Sequence, residues 1–197
     1  MKYKLILVLT VVIFSYNVFG TPNKQILTFR TSNGHFVKVF NRAITFDSKT
    51  IFKLNDDEII YNNAANKLIE DHGVAILFLA IDDRPNLEKL DVFIITPQKA
   101  TLVAKAILSP IKDYDHDGYL EFGGRDLTEV YPNPDSMYYV RTAYYEIRDG
   151  KINLDMPLTR RKDIDINGTY IPVKEQLDKD GFCCKVIPKP KGKLKKD

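Results

Sequence analysis

No tryptophan occurs in this 197-residue chain, histidine occurs three times and cysteine twice. Each scarcity removes a class of explanation. Without tryptophan, a sugar-stacking surface would have to be built from tyrosine. His35, His72 and His116 lie in unrelated segments, and the chain contains no H-E-x-x-H, no G-x-S-x-G elbow and no phosphate-cradling glycine loop. Cys183 and Cys184 are adjacent. A trans peptide holds neighbouring Cα atoms about 3.8 Å apart, short of the usual ~4.4–6.8 Å disulfide window, so no ordinary disulfide staples the fold. Free thiols, a strained vicinal bridge and pairing with another chain all stay open, while zinc binding is not expected of a CC pair with no histidine beside it.

Long hydrophobic runs are also missing. The longest opens the chain: Lys2 and Lys4 precede an apolar stretch over residues 5–14, with Val18 and Gly20 placed for cleavage before Thr21. It is too short for a membrane anchor and reads as a secretory signal peptide over 1–20. No cysteine lies near the cut for lipid attachment. The expected location is secreted or periplasmic, with no transmembrane anchor after processing. The remaining 177 residues suffice for one domain.

The formal charge of +3 is unevenly spread. Five lysines and Asp197 give residues 188–197 a net +4, which leaves the body, 21–187, at −3. This lysine tail carries two prolines and almost nothing to bury, so 176–197 is expected to be extended and its end disordered. It has no interleaved aromatics, and no nucleic-acid partner is expected.

From 21 to 175 the chain reads as a β-rich domain. Segments rich in β-branched and aromatic residues at 26–30, 35–40, 43–46 and 51–54 alternate with turn chemistry. Asn33-Gly34 is the strongest hairpin signal, because both residues tolerate positive φ. Residues 62–72 break the pattern: Ala64, Ala65, Leu68 and Ile69 fall at helical spacing and Gly73 follows as a stop, which predicts one short helix. The apolar run 74–81 predicts a strand buried on both faces. Residues 91–96 and 101–108 predict a hairpin across Pro97-Gln98-Lys99, the second arm also admitting a helical spacing. Further on, 137–147 and 151–154 flank an Asp149-Gly150 turn, and 169–173 predicts an edge strand. Asn167-Gly168-Thr169 matches a glycosylation sequon, relevant only in a eukaryotic secretory route.

One segment carries specific chemistry. From Asp113, acidic side chains recur at Asp115 and Asp117, Gly118 follows, and Glu121 stands at the ninth position. Calcium takes six to eight oxygens at about 2.3–2.6 Å, and a loop that turns every second side chain inward supplies them. Gly118 permits the sharp turn, Tyr119 would offer its backbone carbonyl, and His116 tolerates left-handed φ without being a ligand. An EF-hand would need a bidentate glutamate at position twelve, which is Gly124, and residues 120–124 suit a strand ending in a glycine turn rather than a helix. The bland alternative is an acidic turn stiffened by Asx-type hydrogen bonds alone.

The pattern Asp113, Asp115, Asp117, Gly118, Glu121 resembles the D-x-D-x-D-G-x-x-D calcium loop of FG-GAP and VCBS-type repeats, as in integrin-like β-propellers, with Glu121 one methylene longer than the usual aspartate. The resemblance covers about a dozen residues within 113–124. It implies one bound calcium held by Asp113, Asp115, Asp117 and Glu121, with the Tyr119 carbonyl as the loop position suggests; lacking a twelfth-position ligand, the site is expected to bind modestly, in the ~10⁻⁴–10⁻³ M range of extracellular modules. It also implies antiparallel blade-like sheets. A full propeller typically has four to eight blades of about 40–50 residues, which leaves this chain at most the very smallest. The expected fold is therefore all-β, mainly antiparallel, a partial propeller-like fan with at most one or two short helices.

These readings favour an exported, calcium-stabilised binding or scaffold domain without catalytic residues, engaging a protein or glycan partner. Tyr138, Tyr139, Tyr144 and Tyr145 are the candidates for a contact face. A secreted carboxylate-dependent hydrolase, using the acidic loop or Asp82 and Asp83, is the alternative. A helper subunit of an exported complex is the third.

Overall fold

The computed structural model describes residues 25–54, 58–126, 134–176 and 184–190. The expected signal peptide, the lysine tail beyond 190 and Cys183 lie outside them. The described chain is all-β and mainly antiparallel, as its alternating patterns predict, and most of it forms three successive sheets stacked in chain order.

The first sheet is a meander of β1 (Leu27–Arg30), β2 (Phe36–Phe40), β3 (Ala43–Phe46) and β4 (Lys49–Lys53). Two of its hairpins turn on residue pairs at positive φ, Asn41-Arg42 (47° and 56°) and Asp47-Ser48 (43° and 72°). This is the turn hand that matches strand twist. The Asn33-Gly34 hairpin forms too, but as a three-residue loop in which only Gly34 is left-handed; the Thr31 N–H and the His35 carbonyl close it at 2.9 Å.

The second sheet contains β5 (Glu58–Ile59), β6 (Lys67–Asp71), β7 (Val74–Asp82), β8 (Lys89–Ile95) and β9 (Ala100–Ile107). Strand β7 is the spine of the molecule. Its Leu77, Leu79 and Ile81 pack with Val37, Val39 and Ile44 of the first sheet, while Ile76 and Phe78 pack with Phe122 and Ile147 of the third. Both faces are thus buried, as its unbroken apolar run predicts, and the hairpin across 97–99 forms as β8 and β9.

The helix expected at 62–72 is absent. Asn63 accepts the Ala65 N–H at 2.8 Å, and Asn66 donates to the carbonyls of Ile60 and Tyr61 while accepting the Ala80 N–H at 2.7 Å. These asparagines offer the backbone a turn in place of a helix. The chain then runs as β6 against β7, with Leu68 packed on one core and Ile69 on the other, and His72-Gly73 make the turn.

The third sheet orders β10 (Leu120–Arg125), β12 (Thr142–Arg148) and β13 (Lys151–Leu154), the last two joined by Asp149-Gly150 at φ 53° and 70°. The glycines expected to end β10 lie inside it. A Cβ on Gly123, whose φ is 127°, would sit 2.0 Å from the Ala143 carbonyl oxygen, so glycine lets the two strands close. The expected strand 137–147 is broken: β11 (Ser136–Tyr138) leaves this sheet and pairs with β14 (Val186–Pro188). The segment expected to trail away after 176 thus returns to the body, burying Ile187 against Met137, Tyr139 and Ile171. Cys184, at its start, is disulfide-bonded rather than a free thiol.

Residues 156–167 form α1 (Met156–Asn167), which local pattern did not predict. Its ends carry the expected grammar: Asp155 accepts the Leu158 N–H at 2.9 Å, proline stands in the first turn, and Gly168 closes it at φ 71°. Its inner face is polar. Asp163, fully buried, accepts from the Thr142 N–H (2.7 Å), the Thr142 hydroxyl (2.9 Å) and the Tyr139 hydroxyl (2.7 Å). The expected edge strand at 169–173 is instead a loop leading into a short 3-10 helix, Val173–Glu175. The sequon asparagine, Asn167, is 2 % exposed and donates to the Val140 carbonyl at 3.0 Å, so it is a packing residue unsuited to carry a glycan. Among the described residues no helix is long and apolar enough to cross a membrane.

Candidate metal centre

The acidic loop closes where Lys112 and Glu121 exchange backbone hydrogen bonds at 3.0 and 2.9 Å, so that residues 113–120 form the connection leading into β10. Inside it, Asp113 acts as the organiser. One of its oxygens accepts the His116 N–H at 2.5 Å and the other the Gly118 N–H at 3.0 Å. His116 is left-handed at φ 65° and Gly118 at 95°, the conformations expected of those positions. Partial removal from water works against ionisation of Asp113, but the N–H groups of Gly118, His116 and Asp117 prevail and hold it below the usual carboxylate range. Asp117 accepts the Tyr119 N–H at 3.0 Å.

These hydrogen bonds draw the side chains together. One carboxylate oxygen from each of Asp113, Asp115, Asp117 and Glu121 lies within 4.8 Å of the others. Two oxygens on opposite sides of a calcium ion, each at about 2.4 Å, would be about that far apart. Tyr119 is not among the converging side chains: its ring lies beneath the Arg148 guanidinium, 4.4 Å away, consistent with a residue expected to contribute only its backbone.

Asx-type bonds account for Asp113 and Asp117 without any ion. They do not account for Glu121. Its side chain is wholly buried, at 0 % exposure; one oxygen accepts the Tyr114 N–H at 2.6 Å and the other has no hydrogen-bond partner. Asp115 has a similarly enclosed and unpartnered oxygen, while its second oxygen accepts from Arg161 of α1 at 2.5 Å. Burial, reinforced by the charges of Asp115, Asp113 and Asp117 against the Tyr114 N–H, pushes the Glu121 carboxyl up to about 7. Two unit charges about 5 Å apart repel by roughly 3 kcal/mol at an effective dielectric of about 20. A divalent cation would remove that cost and partner the orphaned oxygens together.

Two residues that local pattern did not mark border this cluster. Glu146 of β12 stands directly opposite Glu121 in the β10–β12 register, and Asp155 caps α1. Oxygens of Glu121, Glu146 and Asp155 again lie within 4.8 Å of one another. Burial raises the Glu146 carboxyl, with Asp117, Asp155 and Asp115 adding to the effect and Arg148 opposing it. A helix-cap signal, its place two residues before Pro157, could have marked Asp155. Glu146 had none, because its neighbours follow from the pairing of two strands distant in sequence.

The other candidates do not join this centre. Arg84 forks onto Asp82 and holds its carboxyl low, while Asp83 lies 3.9 Å from Lys89. A cleft of about 300 Å³ beside them is lined by ion-paired side chains, Asp91 with Lys105 at 3.4 Å and Asp126 with Lys89 at 3.2 Å. The tyrosines do not form one exposed face: Tyr139 is buried on Asp163, Tyr144 packs edge-on to Tyr114, and Tyr145 stacks on Phe122.

Comparison with family models, with curated proteins and with solved structures gives no match. The likeness to FG-GAP and VCBS-type loops therefore rests on the dozen loop residues and their arrangement alone.

Proposed function

We propose that this chain is an exported, β-rich binding or scaffold domain that calcium stabilises and that carries out no catalysis. One observation supports this above the rest: Glu121, fully enclosed, belongs to a convergent set of four carboxylates and keeps an oxygen without a partner. The reading of the loop as an FG-GAP- or VCBS-like calcium site, with the Tyr119 carbonyl completing it, is part of the same proposal. Export follows from the leader-like residues 1–20, and the partner is a protein or a glycan.

The hydrolase alternative has one argument in its favour, a raised Glu121 beside a lowered Asp113, which is how acid and base roles are divided. Enclosure argues against it. A general acid must reach the bond it protonates, and Glu121 has no exposed surface with which to do so.

Thermal melting with calcium and with chelator tests the proposal. At a calcium concentration about a hundred times Kd, binding to the native state alone adds about 2.7 kcal/mol. For a chain of this size that is a rise of roughly 5–10 °C. Asp115→Asn and Asp117→Asn are expected to abolish the rise. Superimposable curves in calcium and chelator would remove the proposal.

A further inference from the structure

We propose that the acidic centre holds two divalent cations, one in the loop and one behind it between Glu121, Glu146 and Asp155, with Glu121 shared by both. This inference rests on the loop being a cation site and extends it inward.

The carboxylates form two sets, not one. Asp113, Asp115 and Asp117 converge with Glu121 on the loop side; Glu146 and Asp155 converge with Glu121 on the sheet side. Glu121 is the sole member common to both, and one of its fully buried oxygens has no hydrogen-bond partner. The second set is also rigidly placed. Glu121 and Glu146 are register partners in the β10–β12 pairing. The Asp155 N–H donates to the Tyr144 carbonyl at 2.8 Å and extends the β12–β13 ladder, while one Asp155 oxygen is fixed by the helix cap.

Among the described residues, few cations face these carboxylates. Arg161 serves Asp115, and the nearest guanidinium nitrogen of Arg148 is 3.9 Å from Glu146, beyond hydrogen-bond reach. Among the described residues no arginine or lysine forms an ion pair with Glu121 or Asp155.

Such an arrangement has a structural consequence. The inner ion would join β10, β12 and the first turn of α1, so that calcium would hold the helix to the third sheet as well as stiffen the loop.

Terbium(III), an oxygen-seeking stand-in for calcium, is a suitable probe because the chain has no tryptophan and tyrosines surround the loop. Chelator-stripped full-length protein is titrated with terbium, and bound ions are counted by tyrosine-sensitised luminescence and by native mass spectrometry. Two ions per chain are expected, with two luminescence lifetimes because the enclosed site excludes water. Glu146→Gln should leave one ion and remove the longer lifetime. Asp155→Asn, which preserves the helix cap, should do the same and covers the case of a Glu146 variant that fails to fold. One ion per chain in the wild type, unchanged in both variants, would overturn the second site while leaving the loop site intact. No bound ion at all would overturn both.

Discussion

The Arg161 guanidinium of α1 donates to the Asp115 carboxylate at 2.5 Å, tying the helix to a loop 46 residues earlier in the chain. In the metal-free protein this arginine stands in for part of the charge that a cation would bring. Because Arg161 is largely exposed, the contact contributes at most about 1 kcal/mol. Arg161→Ala should lower the melting temperature by a few degrees in chelator and by less in calcium, where the ion takes over neutralisation of Asp115. Calcium affinity should rise slightly as a competing charge is removed. An equal loss under both conditions would reduce Arg161 to a helix-docking residue.

Stability of the metal-free protein should depend on Glu121. Its native carboxyl titrates near 7, against an ordinary value of 4.5, so the native state holds this proton more tightly than the unfolded chain does. The contribution is fully present below about pH 4.5 and is lost as pH rises through 7. Denaturant melts in chelator should show stability declining across that window. Glu121→Gln, neutral at every pH, should flatten the slope. A wild-type profile already flat between pH 4.5 and 7.5 would contradict the burial and crowding described for Glu121.

Asp163 anchors the helix independently of any ion. Removing its side chain would strand the Thr142 N–H in the interior and leave the Thr142 hydroxyl only the Thr159 carbonyl, at 3.2 Å, and the Tyr139 hydroxyl only the Ile171 carbonyl, at 3.3 Å. Asp163→Ala should cost about 3 kcal/mol or more. The increment from calcium should survive in this variant, measured as the difference between melts with ion and with chelator. Loss of that increment would show that the helix dock and the acidic centre are one unit.

Gly123→Ala tests the approach of β10 to β12. The new methyl would meet the Ala143 carbonyl oxygen at 2.0 Å at a φ of 127°, which no rotamer change relieves. Both the basal melting temperature and the calcium increment should fall, because Glu121, two residues away, takes its position from the same strand pairing. A variant as stable as the parent would mean that the strands are not so closely paired.

The sheets were legible where side chains alternate. Val37 and Val39, Ile44 and Phe46, and the two-faced run of β7 are placed by period and burial alone. The acidic loop was legible because its geometry is local: Asp113, Gly118 and His116 act within six residues of one another. What was misread depends on polar side chains. Ala64, Ala65, Leu68 and Ile69 have helical spacing, but Asn63 and Asn66 capture the backbone first. In the reverse direction, α1 lacks an apolar stripe because it docks through Asp163, Thr159 and Asn167, so period could not reveal it although Asp155, Pro157 and Gly168 marked its ends. Glu146 illustrates the remaining limit: its role arises from a cross-strand pairing that no local window contains.

The central claim is that Asp113, Asp115, Asp117 and Glu121 share a bound cation, and an anomalous-diffraction map from crystals grown with calcium or a lanthanide tests it most directly. A peak should lie among those four side chains, about 2.3–2.6 Å from their oxygens when calcium occupies it, with the Glu121 oxygen that lacks a hydrogen bond turned toward it. Four carboxylates pointing apart, with no peak between them at saturating ion, would contradict the account.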